Sequence, residues 1–237
     1  MIVFCATRKR AENLSKTFAE YFGYDKVKFY HAGLEKSEKD KIEKWFFPKD
    51  EAILCTTCAF GMGVDKKNIR TVIHLDPPPT AESYIQEAGR GGRDQQISNA
   101  ILLWSSENAK EALKFNENSR ERVLYKFAEA KSCRRQILLD ALGGEKTVCS
   151  GCDICNGTSV DFAQDEKIAL HLIKKYNKNF SIDQLEQKLQ ESLNLQNTKN
   201  NKLRYWEIYD VRQIVTSLLK QEKIKVCKFP WKGKLKI

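Results

Sequence analysis

No stretch of this chain approaches the ~18–20 consecutive apolar residues that a membrane-spanning helix needs, so no helical membrane span is expected. No export signal is expected either. Met1-Ile2-Val3-Phe4-Cys5-Ala6 is too short for a signal peptide's apolar core and has no basic region before it. There is no internal repeat and no low-complexity tract. Nor is there a phosphate loop of the form Gly-x-x-x-x-Gly-Lys-Ser/Thr, whose backbone amides would cradle a nucleotide's phosphates. The single Gly-Lys pair, Gly233-Lys234, is followed by Leu235, and Gly143-Gly144-Glu145-Lys146-Thr147 lacks the spacing. Histidine is scarce. His74 sits inside an apolar strand pattern and His171 on a helix, neither with a ligand-spaced partner, so both read as structural.

What is present points to folded cores and a polyanionic partner. The chain has 237 residues, 41% of them hydrophobic. That suits one large domain or roughly two to three small ones. A net charge of +10 favours a polyanion, though it does not by itself choose nucleic acid over a membrane surface. Eight cysteines without an export signal suggest a reducing compartment, and metal ligands or free thiols in place of disulfides.

Short apolar strands are expected at Ile2–Ala6, Val27–Tyr30, Ala52–Thr56, Val72–Leu75 and Ala100–Leu103, with helices at Lys9–Phe22, Ser37–Phe46 and Ala81–Ala88 between them. Such alternation implies a parallel sheet covered by helices on both faces. Ligands of such sheets gather beyond the carboxyl ends of the strands. Thr7, Arg8, His31, Thr56 and Asp76 fall there.

The stretch with the most chemistry is Gln86-Glu87-Ala88-Gly89-Arg90-Gly91-Gly92-Arg93-Asp94. A helix behind the N-cap Thr80 leads into it, and Gly89 is the expected stop. Two guanidinium forks three residues apart suit a phosphate chain, where they can neutralise charge developing during phosphoryl transfer. The plainer reading is a loop with two solvated arginines. This stretch resembles motif VI of superfamily 2 helicases in the form used by the RecQ family of DNA helicases. Thr56-Thr57-Cys58-Ala59-Phe60-Gly61-Met62-Gly63-Val64-Asp65 resembles motif V, and Met1–Ala11 with Phe29–Leu34 resembles motif IV and the segment after it. One departure is Gln95, where the family usually has glycine.

The resemblance implies a second RecA-like domain in which Arg90 and Arg93 reach the ATP triphosphate, with Arg93 as the arginine finger and Gln86 in support. Asp65 would contact the nucleotide or couple it to DNA; its alternative is a turn residue between glycine-rich neighbours. Arg8, Thr56 and His31 would lie near the DNA backbone, unless His31 is a packed core histidine. The acidic box that holds magnesium in these helicases is not among the residues, since Asp165-Glu166 is followed by Lys167-Ile168. ATP and Mg²⁺ are therefore expected to bind only with a complementary first motor domain.

Farther along, Cys133 is followed by fifteen residues and then Cys149-x-x-Cys152-x-x-Cys155. Four thiolates at that spacing suit structural zinc, with no open position for catalysis. Disulfides are the competing reading. Cys55-x-x-Cys58 has no second pair and reads as packing. Helices are expected at Glu107–Phe115 and Glu121–Leu142, and this region resembles the RecQ zinc-binding subdomain. Arg134 and Arg135 read either as phosphate contacts or as a solvated face.

The last part carries helical patterns at Asp165–Tyr176, Ser181–Leu189 and Trp206–Gln221, with the polar interval Gln190–Arg204 expected as a loop. Ile224–Phe229 and Lys234–Ile237 around Pro230-Trp231-Lys232-Gly233 suggest a hairpin. Three helices and a hairpin imply a winged helix. The run of Lys223, Lys225, Lys228, Lys232, Lys234 and Lys236 suits a phosphate backbone. Trp231 would stack on a base at a fork or pack back on the core.

The expected architecture is therefore an α/β, RecA-like domain over 1–104, a helical, zinc-binding subdomain over 105–158 and a winged helix over 159–237. The resemblance implies the C-terminal part of an ATP-dependent 3′-to-5′ DNA helicase acting in repair and recombination. It further implies single-stranded and forked DNA as partners and a cytoplasmic, nucleoid-associated place if the source is bacterial. A split enzyme, with the first RecA-like domain on a separate chain, is one alternative. A non-catalytic zinc and winged-helix DNA-binding module with a vestigial motor domain is another.

Overall fold

The computed structural model describes residues 1–60, 66–159, 162–199 and 205–236, with backbone alone at 162–165. It divides into two compact units, Met1–Cys155 and Asn156–Ile237.

In the first unit, strands β1 (Ile2–Phe4), β2 (Val27–Tyr30), β3 (Ile53–Thr56), β4 (Thr71–His74) and β5 (Asn99–Leu102) form one sheet in the order β2-β3-β1-β4-β5. Every pairing is parallel. Successive strand residues point to opposite faces, and both faces are covered. Ile2 and Phe4 join Leu54, Phe46, Phe60 and Val72 in one buried cluster. Val3 and Cys5 join Cys55, Val27, Ala11 and Ala19 in another. This is why the strands read as continuous apolar runs.

Helices α1 (Arg8–Phe22), α2 (Lys36–Phe46) and α3 (Ala81–Ala88) lie between the strands. The Thr7 hydroxyl accepts from Arg10 N at 3.2 Å and that of Thr80 from Ser83 N at 3.2 Å, satisfying amides that a helix start leaves open.

Beyond β5 come α4 (Ser106–Ala112), a short 3-10 turn (Arg120–Arg122), α5 (Val123–Ala128) and α6 (Arg134–Ala141). The single helix expected over Glu121–Leu142 is thus broken at residues 129–133. Arg134 explains the break: its guanidinium turns back to donate to Phe127 O at 2.6 Å and Ala128 O at 2.8 Å, satisfying the last carbonyls of α5.

The second unit has α7 (Phe162–Lys175), α8 (Ile182–Lys199) and α9 (Ile208–Lys220), then β6 (Lys225–Val226) paired antiparallel with β7 (Leu235–Lys236). Ser181 adds an antiparallel bridge to Lys234, and Leu235 N donates to Phe180 O at 2.9 Å. The core is Leu185, Leu189, Leu193, Trp206, Val211, Ile214, Val215 and Leu218, with Ala169 and Ile173 from α7.

The loop expected over Gln190–Arg204 is corrected up to Lys199, which is helical; residues 200–204 lie outside the described ones. Leu193 is buried despite its polar neighbours. The Asn194 amide clamps the Trp206 backbone, donating to its carbonyl at 3.0 Å and accepting from its N–H at 2.6 Å. Asparagine and glutamine here serve tertiary hydrogen bonds, which composition alone does not reveal.

Candidate functional site

The arginine-bearing loop is built from the end of α3. Gly89 N–H donates to Ile85 O at 2.8 Å, and the chain then turns again, Gly91 N–H reaching Ala88 O at 3.1 Å. Gly89 keeps an ordinary backbone (φ −66°), so it is not the left-handed stop its type suggested. The helix nevertheless ends there, with Gly89 as its C-cap, and the left-handed turn comes three residues later at Gly92, with φ 65°. A Cβ on Gly92 would lie 2.7 Å from Gln96 O, so both conformation and space demand glycine.

Gly92 N–H donates to Ile69 O at 2.9 Å, and the Arg70 fork holds Asp94. The Asp94 carboxyl, held first by the Arg70 hydrogen bond, is pulled down to about 2. Ile69 and Arg70 lead into β4, so Arg93 sits at the amino edge of the sheet, not beyond the carboxyl ends.

Arg93 is exposed and Arg90 half-buried. Burial, and then the neighbouring Arg93 charge, press the Arg90 guanidinium below its usual range. Gln86 is exposed one turn earlier, while Glu87 is buried and meets the fully buried His74 at 2.9 Å. This pair, which sequence reasoning missed as a pair, fixes α3 against β4. Sequence gave no signal for it, because the partners are thirteen positions apart.

Gln95 adopts φ 65°, the region that favours glycine, and its N–H closes a turn on Gly92 O at 2.8 Å. Holding a non-glycine residue there costs about 1 kcal/mol or more. Gln95→Gly is therefore expected to stabilise the first unit by roughly 0.5–1 kcal/mol, after subtracting glycine's extra unfolded-state freedom. Thermal melting measures this; a lower melting temperature would mean that Gln95 makes side-chain contacts outweighing the strain.

At the opposite, carboxyl edge, Arg8 begins α1 with its side chain exposed. His31 lies close to it: a Cβ on Gly33 would meet Arg8 Nη1 at 2.9 Å and His31 Nδ1 at 3.3 Å. His31 is buried at 5% exposure, its Nε2 2.8 Å from Glu12 Oε1. Glu12, another residue missed from sequence, lies one turn after Arg8. Thr56 differs from expectation. It is 0% exposed, and its hydroxyl donates to Tyr30 O at 2.8 Å and Thr57 O at 2.9 Å, so it pins β2 to β3 and presents nothing outward. Asp65 lies outside the described residues. Its neighbour Lys66 is buried and donates to Phe47 O at 3.0 Å and Lys49 O at 2.8 Å, anchoring the chain that follows.

Cys133, Cys149, Cys152 and Cys155 come together with their sulfur atoms all within 4.8 Å of one another. Cys152 N–H points to Cys149 Sγ at 3.3 Å and Cys155 N–H to Cys152 Sγ at 3.4 Å. Burial pushes the Cys152 thiol up, but hydrogen bonds from the Cys155 and Arg134 amides and from the neighbouring cysteine side chains outweigh it and bring it down to about 6. Four converging soft donors with amides aimed at them fit zinc. Arg134 is no phosphate contact: it makes a bidentate pair with Asp153 at 2.7 and 3.0 Å, inside the Cys152-x-x-Cys155 loop. Arg135 donates to the Ser150 hydroxyl.

In the second unit, the hairpin tip exposes Lys228, Phe229, Trp231 and Lys232. Trp231 is 49% exposed with Lys178 Nζ 4.2 Å from its ring centre, so it does not pack back into the core. Lys223 is held by Glu166 at 3.0 Å, Lys225 by Glu222 at 3.5 Å and Lys234 donates to Gln184 Oε1 at 3.0 Å, while Lys228 and Lys232 at the tip and Lys236 on β7 are exposed.

The helicase conserved C-terminal domain matches residues 1–95, and the RecQ zinc-binding domain matches residues 93–156. The ATP-dependent DNA helicase RecQ of Pasteurella multocida is 33% identical over 172 residues, covering 65% of this chain and 26% of that protein. The probable ATP-dependent DNA helicase RecS of Bacillus subtilis is 45% identical over 102 residues, covering 43% of this chain and 20% of that protein. The chain thus spans about a quarter of the length of the curated relatives it matches. Among solved structures, the helicase MrfA bound to DNA is similar at 24% identity and a TM-score of 0.44, covering 60% of this chain and 21% of that one.

Proposed function

Because this chain belongs to the RecQ helicase family, we propose that it supplies the second RecA-like half of an ATP-driven motor that unwinds DNA. The motor half would be residues 1–104, the zinc-clamped platform 105–158, and a winged helix gripping duplex 159–237. The observation that carries the reading is the separation of two basic groups across one sheet. Arg90 and Arg93, with Gln86, would engage a triphosphate at the amino edge; Asp65, outside the described residues, would contact the nucleotide. Arg8, with His31 behind it, would engage a DNA backbone at the carboxyl edge. Binding of nucleotide would thereby draw on one edge of the sheet while strand movement is read at the other. Movement in the 3′-to-5′ direction and a role in repair belong to the same reading. So does a cytoplasmic place; no helix among the described residues is long and apolar enough to cross a membrane.

Cys133, Cys149, Cys152 and Cys155 would hold zinc, which when bound would supply a fixed structural junction. ATP and Mg²⁺ would require a phosphate loop and acidic box, which these 237 residues do not contain.

Two measurements test the proposal. The purified chain is expected to show no DNA-stimulated ATP turnover, and to gain it when joined to a RecA-like domain bearing a phosphate loop. Continued absence in the joined protein would defeat the motor reading. The chain alone is expected to bind forked DNA, with affinity falling steeply as salt rises. Trp231→Ala should weaken that binding by ~1–3 kcal/mol, and loss of Lys228 or Lys232 should each reduce the salt slope by about one. Fluorescence anisotropy across salt concentrations reads both; an unaltered Trp231→Ala protein would remove stacking from the account.

A further inference from the structure

The metal centre and the arginine-bearing loop are connected through one run of contacts inside the first unit. Asp153, between two of the cysteines, holds Arg134 by two hydrogen bonds. Arg134 in turn holds the carbonyls of Phe127 and Ala128. The Phe127 ring meets Tyr84 of α3, centres 5.1 Å apart and tilted by 52°. Tyr84, 4% exposed, has His74 on another side at 4.8 Å, and His74 is tied to Glu87. Six residues after Tyr84 comes Arg90.

A second link between the platform and α3 is weak. Arg120 reaches Glu82 at 3.2 Å, but the arginine side chain is 82% exposed, where an ion pair contributes little. The ring contact at Tyr84 is buried, and packed aromatic rings transmit displacement because close-packed interiors do not compress.

We propose that Tyr84 and Phe127 are positioning residues through which the four-cysteine centre sets the placement of the Arg90–Arg93 loop. With metal bound, Asp153 is fixed, Arg134 holds the end of α5 in place, and Phe127 seats Tyr84 and its helix. Without it, the Asp153 loop loosens and Tyr84 loses its ring contact with Phe127, while that with His74 remains. The importance of the loop for nucleotide chemistry rests on the function proposed above; the connection itself does not.

Amide hydrogen exchange on the full zinc-loaded chain tests it without nucleotide. The amides of Arg90, Gly91 and Gly92 each donate to a protein carbonyl, so they have protection to lose. Chelating the metal is expected to raise their exchange about tenfold, within the 5–150-fold span of ordinary coupling between sites. Tyr84→Leu and Phe127→Leu keep apolar bulk but not the ring faces. Both should show the fast exchange while metal is still bound, with an unchanged thiolate-to-metal absorption band in the cobalt-loaded form. Tyr84→Phe should restore slow exchange, since no hydrogen bond of its hydroxyl enters the argument. The proposal is overturned if chelation leaves residues 90–92 unchanged, or if Tyr84→Leu exchanges like the unaltered chain. A Tyr84→Leu protein that loses the cobalt band is overturning too, because the ring would then serve the centre's own folding. Should exchange respond as expected while the joined motor shows no turnover, the connection stands and the functional reading alone fails.

Discussion

Arg93→Ala is expected to lower DNA-stimulated ATP turnover of the motor, assembled with a phosphate-loop domain, by about 10³-fold or more. The charge that develops on a transferring phosphoryl group is spread over several oxygens. A planar fork with fixed donors meets it better than a flexible ammonium, so Arg93→Lys should recover little. Arg93 is the better candidate of the two for reaching across, because it is exposed and Arg90 is half built into the loop. Arg90→Ala is expected to lower turnover as well, but with a change in the loop's exchange protection that Arg93→Ala lacks. Forked-DNA affinity of Arg93→Ala should stay unchanged, since Arg8 and His31 stand at the opposite edge of the sheet. Full turnover by Arg93→Ala would reduce this loop to a structural turn.

Much of this was legible from the residues because it depends on local patterns. The central strands β1 and β3 were readable since each is a short apolar run buried on both faces, as Ile2, Val3 and Phe4 show by alternating between two cores, whereas the edge strand β5 stays partly exposed. The four cysteines were readable because metal ligation demands a chemical type at a tight spacing. What remained hidden depends on partners distant in sequence. Thr56 looked outward-facing until Tyr30 O was found 2.8 Å from its hydroxyl. Arg134 looked available to phosphate, yet Asp153, nineteen positions on, accepts its fork. The position of Arg90 and Arg93 was also hidden. A rule about carboxyl ends fits Arg8, but α3 runs back over the sheet and delivers the arginine loop to the other edge. Gln95 is a different case: its departure from glycine was visible, and only the backbone angle of 65° shows why glycine suits that position.

The second large effect concerns the metal. Helix α6, Arg134–Ala141, has no fully buried residue, and Val148 in the segment after it is 94% exposed. No apolar core of its own holds residues 133–155 in place. What remains is the Arg134 network, its partner Asp153 being 41% exposed, the exposed hydrogen bonds of Arg135 to Ser150 and of Thr147 N–H to Gln136, and the four thiolates. Structural zinc at such a centre contributes an apparent ~10–16 kcal/mol near neutral pH, comparable with the ~5–15 kcal/mol that stabilises a whole domain. Removing it should therefore melt α6 and the cysteine loop outright, whereas the sheet, buried on both faces, keeps its own transition. Cys149→Ser should do the same, with the zinc content of the purified chain falling to near zero. Since thiols must lose protons to bind, affinity for the metal should fall as pH falls, and loading should release protons into an unbuffered solution. Circular dichroism and exchange mass spectrometry, with and without chelator, separate the two parts. If α6 keeps its helix and its protection after the metal is gone, then Arg134 and Asp153 hold the platform unaided, and the thiolate centre is dispensable to the fold.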